Sequence, residues 1–69
     1  MPLAMADIGQ VNIIKSVTGR DDVRRHLAEM GFVVGGEVRV VSRLSGGVIL
    51  SVKDGRVALD RSMALRIMV

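Results

Sequence analysis

The chain has 69 residues, ten Lys and Arg against seven Asp and Glu, a formal charge of +3, one aromatic residue and no cysteine. A single domain of this length buries only about 60% of the surface its unfolded form exposes, and its fold is worth on the order of 3–10 kcal/mol, too little to hold many buried charges or a strained catalytic cavity. Disulfides, thiolate zinc sites and cysteine nucleophiles are excluded, no apolar run approaches the roughly 20 residues that cross a bilayer, and the aromatic platforms of base stacking and polyproline grooves are missing.

Residues 1–69 read as one domain. Met1 to Asp7 lack the basic start and apolar centre of a secretion signal, so the expectation is mature sequence in a reducing cytosol. Leu3 to Ile8 fit a single helical turn, and Gly9 lets the chain reverse into a first strand, Gln10 to Val17. Val11, Ile13 and Val17 are expected to point inward, with the Ile13-Ile14 doublet marking a shift of phase. Thr18-Gly19-Arg20 is a loop.

The one convincing helix follows, within Asp21 to Phe32. Val23, Leu27 and Met30 recur at i, i+4 and i+7 as an apolar stripe, while Arg24, Arg25, Ala28 and Glu29 take the more exposed sides. Asp21 and Asp22 suit the positive end of the helix dipole. Gly31 can adopt the left-handed conformation that ends a helix, and Phe32 is then expected to fold back onto Leu27.

After flexible backbone at Val33 to Gly36, Glu37 to Leu44 alternate as a second strand and Ser45-Gly46-Gly47 turn it. Val48 to Lys53 and Arg56 to Asp60 flank Asp54-Gly55, a strong signal for a tight hairpin. That turn sets Val52 opposite Val57 and Leu50 opposite Leu59, with Ser51, Ala58 and Asp60 on the other side. Arg61 to Ala64 are expected to bend, and Leu65 to Val69 to form a last strand with Leu65, Ile67 and Val69 inward. The fold class is therefore mainly β: a small, partly open barrel of about five strands with one helix inserted after the first. Ile49 and Met68 fall on outer faces, where they suit a partner patch.

Chemistry is sparse. Asp22, His26 and Glu29 share a helix face at spacings of four and three, the weak candidates for a metal site, but three ligands on one helix make a poor cage and a solvated face explains them as well. No cofactor is required, with room for weak binding of a divalent metal such as iron(II). The serines lack a base beyond His26, so catalysis is not expected. Arg20, Arg24, Arg25, Arg39, Arg43, Arg56, Arg61 and Arg66 are scattered rather than clustered. A nucleic-acid-binding barrel is thus the second reading, weakened by the missing stacking residues.

The run Arg25-His26-Leu27-Ala28-Glu29-Met30-Gly31-Phe32-Val33-Val34-Gly35 resembles the arginine-x-leucine-x-x-x-glycine-hydrophobic-x-x-glycine core of the FeoA family, ferrous iron transport protein A. Leu3 with Ile8-Gly9, the Gly47-Val48 step, Val57-Ala58-Leu59 and Ala64-x-x-Ile67-x-Val69 extend the likeness over the whole chain, and Gly36 departs from it. The resemblance implies an SH3-like barrel without enzymatic activity. It implies a cytoplasmic accessory of bacterial iron(II) uptake, peripheral to the inner membrane through its partner, the cytoplasmic domain of a FeoB-type GTPase transporter, with no direct membrane insertion. Similar modules fused to iron-dependent repressors make a metal-sensing role a third reading. The surface expected to meet a partner is Arg24, Arg25, Phe32, Val33, Val34 and Gly35, with the alternative that the apolar members only cap the core; self-association through an open barrel edge stays open.

Overall fold

In the computed structural model, which describes residues 1–69, the chain runs through a 3-10 turn (Leu3–Met5), β1 (Val11–Ile13), β2 (Ser16–Val17), α1 (Asp21–Glu29), β3 (Glu37–Leu44), β4 (Gly47–Val52), β5 (Gly55–Asp60), α2 (Arg61–Ala64) and β6 (Ile67–Met68). Short turns allow only antiparallel neighbours, and β3, β4 and β5 form a meander whose free β3 edge takes β1, giving the order β1-β3-β4-β5. β2 pairs with β6 in a separate two-stranded sheet, and the two sheets curl around one core as an open barrel. The ends of the chain meet there: the Val69 amide donates to the Met1 carbonyl at 2.8 Å, and Pro2 bridges to Met68.

Alternation builds the core. Val48, Leu50 and Val52 of β4, with Val38 and Val40 of β3, bury against Leu27, Phe32, Leu3, Ile14, Leu59, Ile67 and Val69. A bulge between Val40 and Ser42 bends β3 and lets the sheet close over them. Every buried side chain is apolar, so the small stability of the domain is not spent on desolvating charge.

Several expectations change. The first strand breaks at Ile14-Lys15 into β1 and β2, giving six strand segments rather than five. The phase does slip at the isoleucine doublet, but Ile14 is the buried member, and Val11 and Ile13 stay 55% and 49% exposed. They pair with Arg39 and Glu37, so β1 shares that outward face. Only Leu3–Met5 is helical near the start, while Ile8 is exposed and bridges to Val40.

The hairpin sits two residues away from its expected register. Lys53 and Asp54 make the turn, with Lys53 at φ 53°, and Val52 opposes Gly55, Leu50 opposes Val57 and Val48 opposes Leu59. The faces survive because a shift of two keeps parity. Gly47 permits this register: opposite Asp60, a Cβ would lie 2.2 Å from the Leu59 carbonyl oxygen, so only glycine fits. The bend at Arg61 to Ala64 is a helical turn capped by Asp60, whose carboxylate accepts from the Met63 amide at 2.8 Å. Leu65 continues it with helical φ and ψ, which leaves it exposed rather than inward; Ile67 and Val69 are buried as expected.

Candidate functional site

The candidate site is built around the two ends of α1. Arg20 precedes the helix in extended conformation, and Asp21 and Asp22 occupy the first turn, where Asp22 accepts from the Val23 amide at 3.0 Å. Arg24 pairs with Asp21 one turn back. Arg20 reaches Asp22 only at 3.8 Å, with both groups exposed, a contact of little energetic weight. Arg25 has no carboxylate partner, so it is the free cation of this face.

At the other end the helix closes as a Schellman motif. Gly31, at φ 105°, donates to the Ala28 carbonyl at 3.0 Å, and Phe32 donates to Leu27 at 3.0 Å. Phe32 and Leu27 are both fully buried in the one core cluster. The chain leaving this motif is tied down residue by residue: Gly35, at φ 87°, donates to Ile14 at 2.8 Å, Gly36 to Val33 at 3.0 Å, and Ile14 back to Gly36 at 2.9 Å. Val33 and Val34 are thus held on a fixed knuckle between two left-handed glycines, 43% and 68% exposed. Apolar side chains held outward by hydrogen-bonded backbone lose little entropy when a partner covers them.

Val33 and Val34 rim a shallow depression of about 590 Å³ that also takes in Arg24, Arg25, Ala28 and Val17. Of the residues expected on one surface, Arg24, Arg25, Val33 and Val34 line this depression together, while Gly35 is not part of its lining. Phe32 is the correction: at 1% exposure it is the floor of the depression and part of the core, not a contact surface. Val17 and Ala28 were not expected at this site. Ala28, four residues after Arg24 and three after Arg25, lies on their helix face by spacing alone, whereas Val17 arrives through the β2–β6 pairing.

The other candidates fare differently. Asp22, His26 and Glu29 are exposed and do not come together as a group able to hold a metal ion. Ile49 and Met68 are half-buried and sit on different sheets, so they form no joint patch. Folding does not gather the arginines into a stripe either. Arg39 and Arg56 flank Ser51 on the outer face of the large sheet, Arg43 and Arg61 border the opening 3-10 turn, and Arg66 lies over Gly19 beside α1. At Asp60 the Met63 amide, and secondarily the Ser62 hydroxyl, hold the carboxyl below the usual range. That shift belongs to the α2 cap, away from the knuckle. A second hollow of about 320 Å³ lies between Gly31 and the outer sheet face, lined by Val11, Glu37, Arg39, Ser51 and Lys53 among others.

The FeoA domain family model matches residues 1–69. A Methanocaldococcus jannaschii protein named as a candidate Fe(2+) transport protein A is 34% identical over 68 residues, covering 99% of this chain and 83% of that one. A solved iron uptake regulatory protein (FeoA) superposes with a TM-score of 0.89 at 28% identity, covering 97% of this chain and 91% of that one. Stenotrophomonas maltophilia FeoA, solved in complex with zinc and described as a procaryotic SH3 domain protein, gives 0.85 at 31% identity over 99% of this chain and 87% of that one. A manganese-dependent transcriptional repressor shares the fold alone, with a TM-score of 0.87 at 18% identity over 97% of this chain and 39% of the repressor. With the family model spanning every residue and relatives above 30% identity matched nearly end to end, this mainly β, SH3-like chain belongs to the FeoA family.

Proposed function

We propose that this domain is a non-enzymatic accessory of ferrous iron uptake that docks on the cytoplasmic region of a FeoB-type GTPase transporter and modulates it. The observation that carries the reading is the knuckle of Val33 and Val34, fixed outward by the Gly31 and Gly35 bonds and bordered by the unpaired Arg25. An apolar anchor with an adjacent cation on rigid backbone fits a protein surface that offers an apolar recess beside a carboxylate. Family membership and the Fe(2+) transport names of the relatives point to the transporter as that surface.

In this reading the work is done by binding: the core is wholly apolar and the exposed acids stay apart, which suits a docking module better than a reaction centre. No resident cofactor is needed, and iron(II) is the cargo of the partner. No helix of the chain is long and apolar enough to cross a membrane. In this reading the domain works in the cytoplasm and meets the inner membrane through its partner.

The test is an NMR titration of the labelled domain with the soluble cytoplasmic region of its transporter. The expected result is a set of shifts confined to Arg24–Gly35 and Val17, lost in Val34→Asp and weakened in Arg25→Glu, with both variants folded. Shifts on another face, or none at saturating fragment, overturn the proposed surface.

A further inference from the structure

The large sheet ends at β5, which has β4 on one side and no strand on the other. The phase of its hydrogen bonds is fixed: the Arg61 amide donates to the Gly46 carbonyl at 3.1 Å, so in this antiparallel pair the bonded partners are Gly46 with Arg61, Val48 with Leu59, Leu50 with Val57 and Val52 with Gly55. The residues between them, Arg56, Ala58 and Asp60, therefore turn their amides and carbonyls to the open edge. α2 follows directly on β5 and packs against β4, β5 and the opening 3-10 turn with Ala64 buried, and no strand pairs with the far side of β5.

We infer that this edge is an interface for a second copy of the chain, β5 against β5 antiparallel, with Ala58 opposite Ala58 at the two-fold axis. A two-fold pairing of this edge must match outward amides and keep inner faces together, which leaves few registers. Centred on Arg56, it sets two arginines against each other; centred on Val57, it sets Asp54 against Asp60. Centred on Leu59, it moves Arg56 past the end of the strand, opposite Ser62. Only the Ala58 register places Arg56 opposite Asp60 of the second copy, and does so twice. It also places Val57 opposite Leu59 on the inner face and the smallest side chain at the axis.

The charges are available for this. Arg56 makes no ion pair within the chain, and both bonds that Asp60 accepts, from Ser62 and Met63, fall on Oδ1, leaving Oδ2 free. Val57 is half-buried at the rim and is covered by Leu59 of the second copy. The result is one continuous eight-stranded sheet. Five paired residues a side make a small interface, below about 1,200 Å², so the association is weak and reversible.

The test joins sedimentation velocity over about a hundredfold range of protein concentration with an isotope-filtered NOE experiment on a mixed-label sample. The expected result is a concentration-dependent dimer with an intermolecular Hα–Hα contact between Val57 and Leu59. Arg56→Glu, which sets Glu against Asp60 twice, raises the dimer Kd about tenfold or more. Ala58→Pro removes an amide that β4 does not use, so it dissolves the dimer while the spectrum of the remaining sheet persists. If the proline variant fails to fold, the Arg56 variant and the filtered contact decide alone. A chain that stays monomeric throughout the range, or a dimer that both variants leave unchanged, overturns the inference.

Discussion

The amide of Phe32 donates to the carbonyl of Leu27 at 3.0 Å, and both side chains are buried in the same core cluster. This one pairing joins the end of the helix to the start of the knuckle, so helix termination and presentation of Val33 and Val34 are a single structural event.

Gly31 makes that event possible at φ 105°. Gly31→Ala meets only the flexible end of Lys53 and Val52 at 3.4–3.5 Å, so its cost is backbone strain rather than collision. A loss of about 1–2 kcal/mol is expected in urea unfolding. Gly46→Ala, with open space and no left-handed requirement, is expected to leave the midpoint where it was.

Phe32 and Val34 separate stability from docking. Phe32→Ala empties the centre of the core and is expected to cost about 3–5 kcal/mol, enough to unfold much of a domain this small. Val34→Asp changes an exposed side chain and is expected to alter the unfolding midpoint little while removing transporter binding. Circular dichroism melts alongside the titration check both.

Gly47 is a sterner requirement than Gly31. A methyl there meets the Leu59 carbonyl oxygen at 2.2 Å, and backbone does not yield as a side chain does. Gly47→Ala is expected to lose about 3 kcal/mol and to broaden the amide signals of β4 and β5 before those of α1.

Asp60 gives stability a pH dependence with a defined sign. Its folded value is depressed by the Met63 amide and the Ser62 hydroxyl, so the stabilisation is complete above the unfolded-state value and is lost as pH falls through the lower folded value. Thermal melts are expected to show the wild type above Asp60→Ala at neutral pH, with the gap narrowing below about pH 4. Asp60→Asn keeps a capping oxygen without a charge and is expected to show a flatter acid limb.

His26 tests the metal reading directly. Because Asp22, His26 and Glu29 do not form a holding group, His26→Ala is expected to leave any NMR response of the domain to zinc or iron(II) unchanged. A lost response would assign that helix face a ligand role.

What the sequence made legible was local. The Schellman end at Leu27, Gly31 and Phe32, the hairpin faces of β4 and β5, and the basic and apolar members of the knuckle follow from spacing and residue type alone. What stayed hidden depended on contacts distant in the chain. The hairpin turns at Lys53-Asp54 and not at Asp54-Gly55, in a register that needs a glycine at position 47 against Leu59, far from the turn. Ile14 turns inward because Gly35 and Gly36 bond to it from beyond the helix. Phe32 was legible both as a residue folding back onto Leu27 and as a partner contact, and its burial decides for the first. Asp60 ends β5 as expected, and what went unread is its second role, capping α2 three positions before Met63.

The pairing of residue 1 with residue 69 makes the backbone nearly a ring, with entry and exit side by side. A unit of that shape joins a longer polypeptide at a single point, imposing no separation on the segments before and after it. The repressor in which the same fold occupies about two fifths of the chain is one such carrier. The same geometry makes the domain suited to circular permutation, with a short linker across the old ends and a new opening at the exposed Ser45-Gly46 turn.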